Sequence, residues 1–240
     1  MTEAEWLSSG DPKRMSMYTC HHTTQRKIRL FVCACSRRIQ DFANDEGRLA
    51  LSVAENRADG LASDELVASW RENVRQSHEC VVSDRRTLYS AANRLQCALR
   101  AIEMCLIEIY NTGAIGVSSV TAATTHCAGA MEIHWKLENR NRRIKGIEIR
   151  RREQTSQSHL LRDIYGNPFR PVTLDQSWLT SNVLALANGI YTEKAFDRMP
   201  ILADALQDAG CDNEDILNHC RQPGVHVRGC WVLDLVLVRH

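Results

Sequence analysis

Hydrophobic residues recur at helical spacing along almost the whole chain. From Ser83, read as an N-cap, they fall at Leu88, Ala92, Leu95, Leu99, Ile102, Leu106 and Ile109. The steps alternate between four and three, an a/d seam, and predict a helix over 84–110. Asn111-Thr112-Gly113 supplies its C-cap and Gly116 a turn. A second stripe follows: Val120, Ala123, Cys127, Ala130 or Met131, His134 and Leu137. Together the two stripes predict an antiparallel helical hairpin over 83–157.

The N-terminal part repeats the pattern. Thr23 or Thr24 is placed to cap a helix that buries Ile28, Phe31, Val32, Cys35, Ile39 and Phe42. Leu49 and Val53, stopped by Asp59-Gly60, mark another helix. Ser63, with Asp64 and Glu65 in the first turn where the helix dipole favours acids, starts the next along Leu66, Val67 and Trp70. No segment alternates apolar and polar residues as a half-buried strand would; only Arg170–Leu174 reads as extended, because proline biases its neighbours away from helix. The expected fold is all-α in one domain over 1–240, with segments 1–82 and 158–240 packing as a head and the 83–157 hairpin between them. Asn167-Pro-Phe-Arg-Pro171 is the expected joint. Gly166 stops the preceding helix and Pro168 and Pro171 prevent its resumption, while Phe169 is buried and Arg170 pairs with a carboxylate or helix-terminal carbonyls. Trp6, Trp178 and Trp231 are the large bodies around which a head can form.

Composition narrows the function classes. A net charge of +1 gives no global field to drive the chain onto nucleic acid or an anionic membrane. Cys230–Val238, the apolar run near the C-terminus, contains Asp234 and is too short to span a bilayer. The first residues carry two acids and no apolar core of a secretory signal, so the ten cysteines read as reduced thiols of a cytoplasmic protein. Locally the charge is uneven. Lys136, Arg140, Arg142, Arg143, Lys145, Arg150, Arg151 and Arg152 form a basic stretch, and Glu193 to Asp215 is acidic. A basic helix can bind phosphates, but this one lacks interleaved aromatics, so an intramolecular or solvated face is the stronger reading and nucleic acid a weaker one.

The candidate chemistry concentrates near the C-terminus. Cys211, His219, Cys220, His226 and Cys230 fall within twenty residues, nitrogen and sulfur donors of the kind that hold tetrahedral zinc. His226 and Cys230 are i, i+4 and read as lying on one helix that begins near His226. No CxxC knuckle is present, and buried cysteine is also an ordinary small hydrophobe, so core packing is the competing reading. On that helix Asp234 needs a cation, with Arg162, Arg37 or Arg38 as the expected partner. Cys33 and Cys35, two apart, point in nearly opposite directions; Cys20-His21-His22 reads as a polar loop start and His134 as a satisfied core histidine. Phosphate-binding, metalloprotease and serine-hydrolase signatures are absent. Cys230 with His226 could be written as nucleophile and base, but the spacing alone is a weak signal.

The segments MTEAEWLSSGDPKRM, RKIRLFVCACSRRI, LLRDIYGNPFRPVTLDQSWLT, AFDRMPILADALQDAGCDNEDILNHCR and HVRGCWVLDLVL resemble a family of predicted proteins abundant in planctomycete bacteria. The likeness covers residues 1–62 and 158–238. It implies conserved ends around a variable helical middle and no particular activity. Cys211, His226 and Cys230 match the family's pattern; Cys33-Ala-Cys-Ser36 departs from its frequent CACC. The expected function is a helical protein-interaction or adaptor module with an unknown protein partner and no cofactor. The alternative is a zinc-binding protein or an enzyme built around His226, Arg228, Cys230 and Asp234 with Arg162 and Asp163.

Overall fold

The computed structural model describes residues 1–19, 23–82, 91–107, 114–138 and 146–239. Among these the regular structure is helical and no strand is present. In chain order the helices are α1 (Glu3–Ser8), α2 (Pro12–Thr19), α3 (Gln25–Arg37), α4 (Asp45–Ala58), α5 (Asp64–Val82), α6 (Ala91–Leu106), α7 (Ala114–Glu138) and α8 (Gly146–Tyr165). They continue with α9 (Ser181–Glu193), α10 (Met199–Asp208), α11 (Glu214–Arg221) and α12 (Trp231–Val236). The chain divides into two compact units, Met1–Leu161 and Arg162–His240, and the division falls within α8.

Local sequence explains most helix ends. Thr24 caps α3 by accepting from the Lys27 amide at 3.4 Å, and Asn213 caps α11 by accepting from Ile216 at 3.1 Å. The Ser63 hydroxyl accepts from the Leu66 amide at 3.3 Å. Gly60 and Gly166 stop α4 and α8 with φ of 74° and 65°, the left-handed turn that other residues enter at a cost. Gly166 has a second reason to be glycine, since a Cβ there would lie 3.1 Å from the Trp231 indole. Pro168 and Pro171 follow in a segment without helix, and 171–175 is irregular.

In the first unit α6 packs on α5 and α7, and α3 packs on α4, α6 and α7. Leu99, Ile102 and Leu106 on α6 and Val120, Ala123, Cys127 and Ala130 on α7 are buried, whereas Leu95, Met131 and His134 are half-buried. Several charged groups among these helices are paired. The Arg29 guanidinium donates to the Cys105 carbonyl at 2.7 Å, satisfying an acceptor in the last turn of α6. Arg38 forks onto the Glu153 carboxylate at 2.9–3.1 Å, and Arg37 onto Glu55 at 2.8 and 2.9 Å. Both arginines thus have carboxylate partners within the first unit. His134 Nδ1 lies 2.9 Å from Arg94 Nη1 and its ring 4.8 Å from that of Phe42, the satisfied histidine expected. Burial pushes the Cys33 and Cys35 thiols well above the usual range, Cys33 also through contact with Cys105, and Cys35 through its neighbour Cys127. Cys105 bears on both thiols.

Several expectations change. Leu49 and Leu66 are exposed rather than buried, because α4 turns Ala50, Leu51 and Ala54 inward and α5 turns Val67 and Val74 inward. Ile39 and Phe42 lie beyond the end of α3, Phe42 in a short 3-10 turn. Gly116 falls inside α7. Phe169 is half-buried. Of the basic stretch, Lys136 and Arg150 both pair with Glu132, and Arg152 pairs with Glu148. Arg140, Arg142, Arg143 and Lys145 lie outside the described residues, as do Cys20-His21-His22, Ser83, Leu88, Ile109 and Asn111-Thr112-Gly113. No helix among the described residues is long and apolar enough to cross a membrane.

The second unit builds its own core. Val183, Ala187, Ile190 and Tyr191 of α9, Met199, Leu202, Ala203 and Leu206 of α10, Ile216, Leu217 and Cys220 of α11, and Val232, Leu233 and Val236 of α12 close on one another.

Candidate metal centre

Four segments of the second unit deliver polar side chains to one buried point. Asp163 projects from the last turns of α8, and His219 from the last turn of α11. His226 stands in the loop between α11 and α12, and Cys230 is the N-cap of α12. Each of the four is at most 8% exposed. One ligand atom from each, a carboxylate oxygen, two imidazole nitrogens and a thiol sulfur, lies within 4.8 Å of every other.

The loop carries the arrangement. Gly229, at φ 89°, forbids the continuous helix expected from His226, so α12 starts at Trp231. His226 and Cys230 are therefore not one helical turn apart; they meet because the loop folds back on α8. The Val227 amide donates to Asp163 Oδ2 at 2.9 Å, and His226 Nδ1 lies 2.7 Å from Asp163 Oδ1. His226 Nε2 is buried without a hydrogen-bond partner, so Nδ1 is the ring's polar tether.

Around the point, His219 Nε2 is 3.2 Å from Asp163 Oδ1 and 3.2 Å from Cys230 Sγ, and Cys230 Sγ is 3.9 Å from His226 Nδ1. Zinc bonds of about 2.0–2.1 Å to N and O and about 2.3 Å to S set tetrahedral edges of about 3.3 Å for N–O pairs and about 3.6 Å for N–S pairs. The two N–O separations, 2.7 and 3.2 Å, fall short of their edge, and the two N–S separations, 3.2 and 3.9 Å, fall on either side of theirs. The set as a whole lies within 4.8 Å, so an ion would have to draw the donors into a regular tetrahedron. The same distances are also those of a hydrogen-bonded Asp–His–His–Cys network, so charge is the second criterion. A divalent ion with one carboxylate, one thiolate and two neutral imidazoles is electrically neutral overall, which removes most of the penalty for burying the acids.

Burial works to raise the Asp163 pKa, but the hydrogen bonds from His219 and His226 outweigh it, and the carboxyl is held below its usual range. It therefore presents an ionised oxygen to the centre. Burial raises the Cys230 thiol well above the usual range, and the Asp163 charge adds to this against the favourable Val232 and Leu233 amides. A thiol so placed is a poor nucleophile, and its 3.9 Å separation from His226 is long for a nucleophile–base pair. A bound cation reverses that preference, because a coordinated thiol is deprotonated outright.

Of the five donors read from the sequence, the structure brings together His219, His226 and Cys230. Cys211 and Cys220 stand outside the set, packed in the unit's apolar core. Burial pushes the Cys220 thiol up to about 12, with a further contribution from the Asp163 carboxylate. The fourth donor is Asp163, which the sequence placed with Arg162 in the alternative site and not among the cysteine and histidine donors. The signal for it lay in α8, where Leu160, Leu161 and Ile164 are buried and an acid occupies the same inward face. Asp234 is buried, with its amide bonded to the Cys230 carbonyl at 2.9 Å.

Compared with protein-family models, curated proteins and solved structures, the chain matches none.

Proposed function

We propose that the protein is a helical module whose second unit is held together by a structural zinc ion bound by Asp163, His219, His226 and Cys230. The observation that carries this reading is the convergence of four buried donors from four segments within 4.8 Å of one another. Four protein ligands close the coordination sphere, which is the pattern of structural rather than catalytic zinc, where one position stays open for water or substrate. The mixed donor set suits zinc: imidazole and thiolate disfavour magnesium and calcium, which take oxygen ligands.

The ion would join the end of α8, the end of α11, the intervening loop and the start of α12. Its role is to fix an irregular loop that has few apolar anchors, Val225 being exposed. The module it stabilises is read as a scaffold for protein interaction. The planctomycete family resemblance is consistent with this and supplies no activity of its own.

Cobalt substitution tests the reading. A full-length chain loaded with Co(II) should show strong d–d bands of a four-coordinate site and a thiolate charge-transfer band. The charge-transfer band should vanish in Cys230→Ser, while Cys211→Ser and Cys220→Ser keep it. A six-coordinate spectrum, or a charge-transfer band that survives in Cys230→Ser, would overturn it.

A further inference from the structure

The zinc reading leaves the second nitrogen of each histidine to be accounted for, and at His219 the structure shows what holds it. Gln222 is the C-cap residue of α11, its amide donating to the Asn218 carbonyl at 2.8 Å. Gln222 is exposed, and its carboxamide nitrogen Nε2 lies 3.3 Å from His219 Nδ1. The ring is thus divided. Nε2 faces Asp163 and Cys230, and Nδ1 faces Gln222.

The two states of the site make opposite demands on Nδ1. Without metal, His219 Nε2 is a donor toward the Asp163 carboxylate, so a neutral ring leaves Nδ1 a bare acceptor, which the Gln222 NH2 group satisfies. With metal on Nε2, the neutral ring must carry its proton on Nδ1, which then needs an acceptor. A carboxamide offers both. Rotating it by half a turn exchanges NH2 for C=O with almost no change in shape. A carboxylate would serve only the loaded state, and an ammonium only the metal-free state.

Resting on the four-ligand reading, we propose that Gln222 is the positioning residue of the centre: its carboxamide accepts the His219 Nδ1 proton in the metal-loaded protein, fixes the tautomer that presents Nε2, and so sets the affinity for the ion. Trp231, whose ring is 5.1 Å from that of His219, bounds the imidazole on one side without offering Nδ1 an acceptor.

The test is a zinc competition titration of the full-length protein against a chromophoric chelator, with variants graded by hydrogen-bonding type. Gln222→Ala should weaken binding by about 10- to 100-fold, the usual cost of losing such an outer partner. Gln222→Glu, an acceptor at every rotamer, should bind at least as tightly as the natural protein, and Gln222→Lys should bind as weakly as Gln222→Ala or more so. Circular dichroism of the metal-free variants checks that the helices are intact, and the rescue by Glu separates positioning from a general structural effect. If Ala, Glu and Lys variants all match the natural affinity, or if Glu is as weak as Ala, the role of Gln222 is overturned while the four-ligand reading stands. If the natural protein takes up no zinc, both fall.

Discussion

Asp163→Asn separates a hydrogen-bonded network from a metal centre, because the two demand different things of the same oxygen atoms. In the metal-free protein the carboxylate faces three nitrogens: His226 Nδ1 at 2.7 Å, the Val227 amide at 2.9 Å and His219 Nε2 at 3.2 Å. Asparagine keeps the shape but has one acceptor oxygen, so one buried donor is stranded at a cost of about 1–3 kcal/mol. In the zinc-loaded protein the same change removes a ligand and leaves a buried site with one uncompensated positive charge. If the affinity falls 100-fold, ligand linkage at saturating zinc loses about a further 2.7 kcal/mol. Urea unfolding of the full-length chain, followed by circular dichroism in chelator and in zinc-buffered solution, measures both terms. The expected result is a modest destabilisation in chelator that roughly doubles or more in zinc. An identical destabilisation in the two buffers would refute Asp163 as a ligand, and none in chelator would refute the network.

Two further outcomes probe the first unit. Arg38→Ala strands the Glu153 carboxylate, whose side chain is 1% exposed, and should cost about 3–5 kcal/mol in urea unfolding; Glu153→Gln in the same background should recover much of it, and a loss below about 1 kcal/mol would contradict the pairing. His78 and His126 both have lowered pKa values, through burial first and then through Arg100, with His78 adding to the effect on His126. Folding therefore disfavours their charged forms. Their contribution is present above the unfolded histidine value of about 6.5 and is lost as the pH falls below it. His126→Gln should flatten the decline in stability as the pH falls below about 6.5, and an unchanged slope would contradict this.

The fold class was legible because helical periodicity and helix ends are local signals. Thr24, Ser63 and Asn213 act as caps where a hydroxyl or amide precedes an apolar stripe, and Gly60 and Gly166 stop helices where the left-handed turn is required. The site was legible only in part. His226 and Cys230 are not one helical turn apart, because Gly229, one residue ahead of the N-cap, has a positive φ that turns the segment into a loop. Asp163 entered only beside Arg162 in the alternative site and not among the metal donors, because it lies far from the cysteine and histidine cluster in the chain and only tertiary packing brings α8 to it. Cys211 and Cys220 share that cluster's spacing but follow the commoner fate of cysteine, as small apolar bodies in a core. Which of five donors converge is a property of the loop's path, and spacing alone does not contain it.

The most direct measurement is the metal content of protein purified without a histidine tag, paired with its melting curve. The account predicts one zinc per chain by elemental analysis, lost together with thermal stability on chelation and restored by zinc alone. It also predicts that His219→Ala and His226→Ala are purified without the metal. Protein that carries no zinc after exposure to it, and melts at the same temperature in chelator as in zinc, would contradict the account.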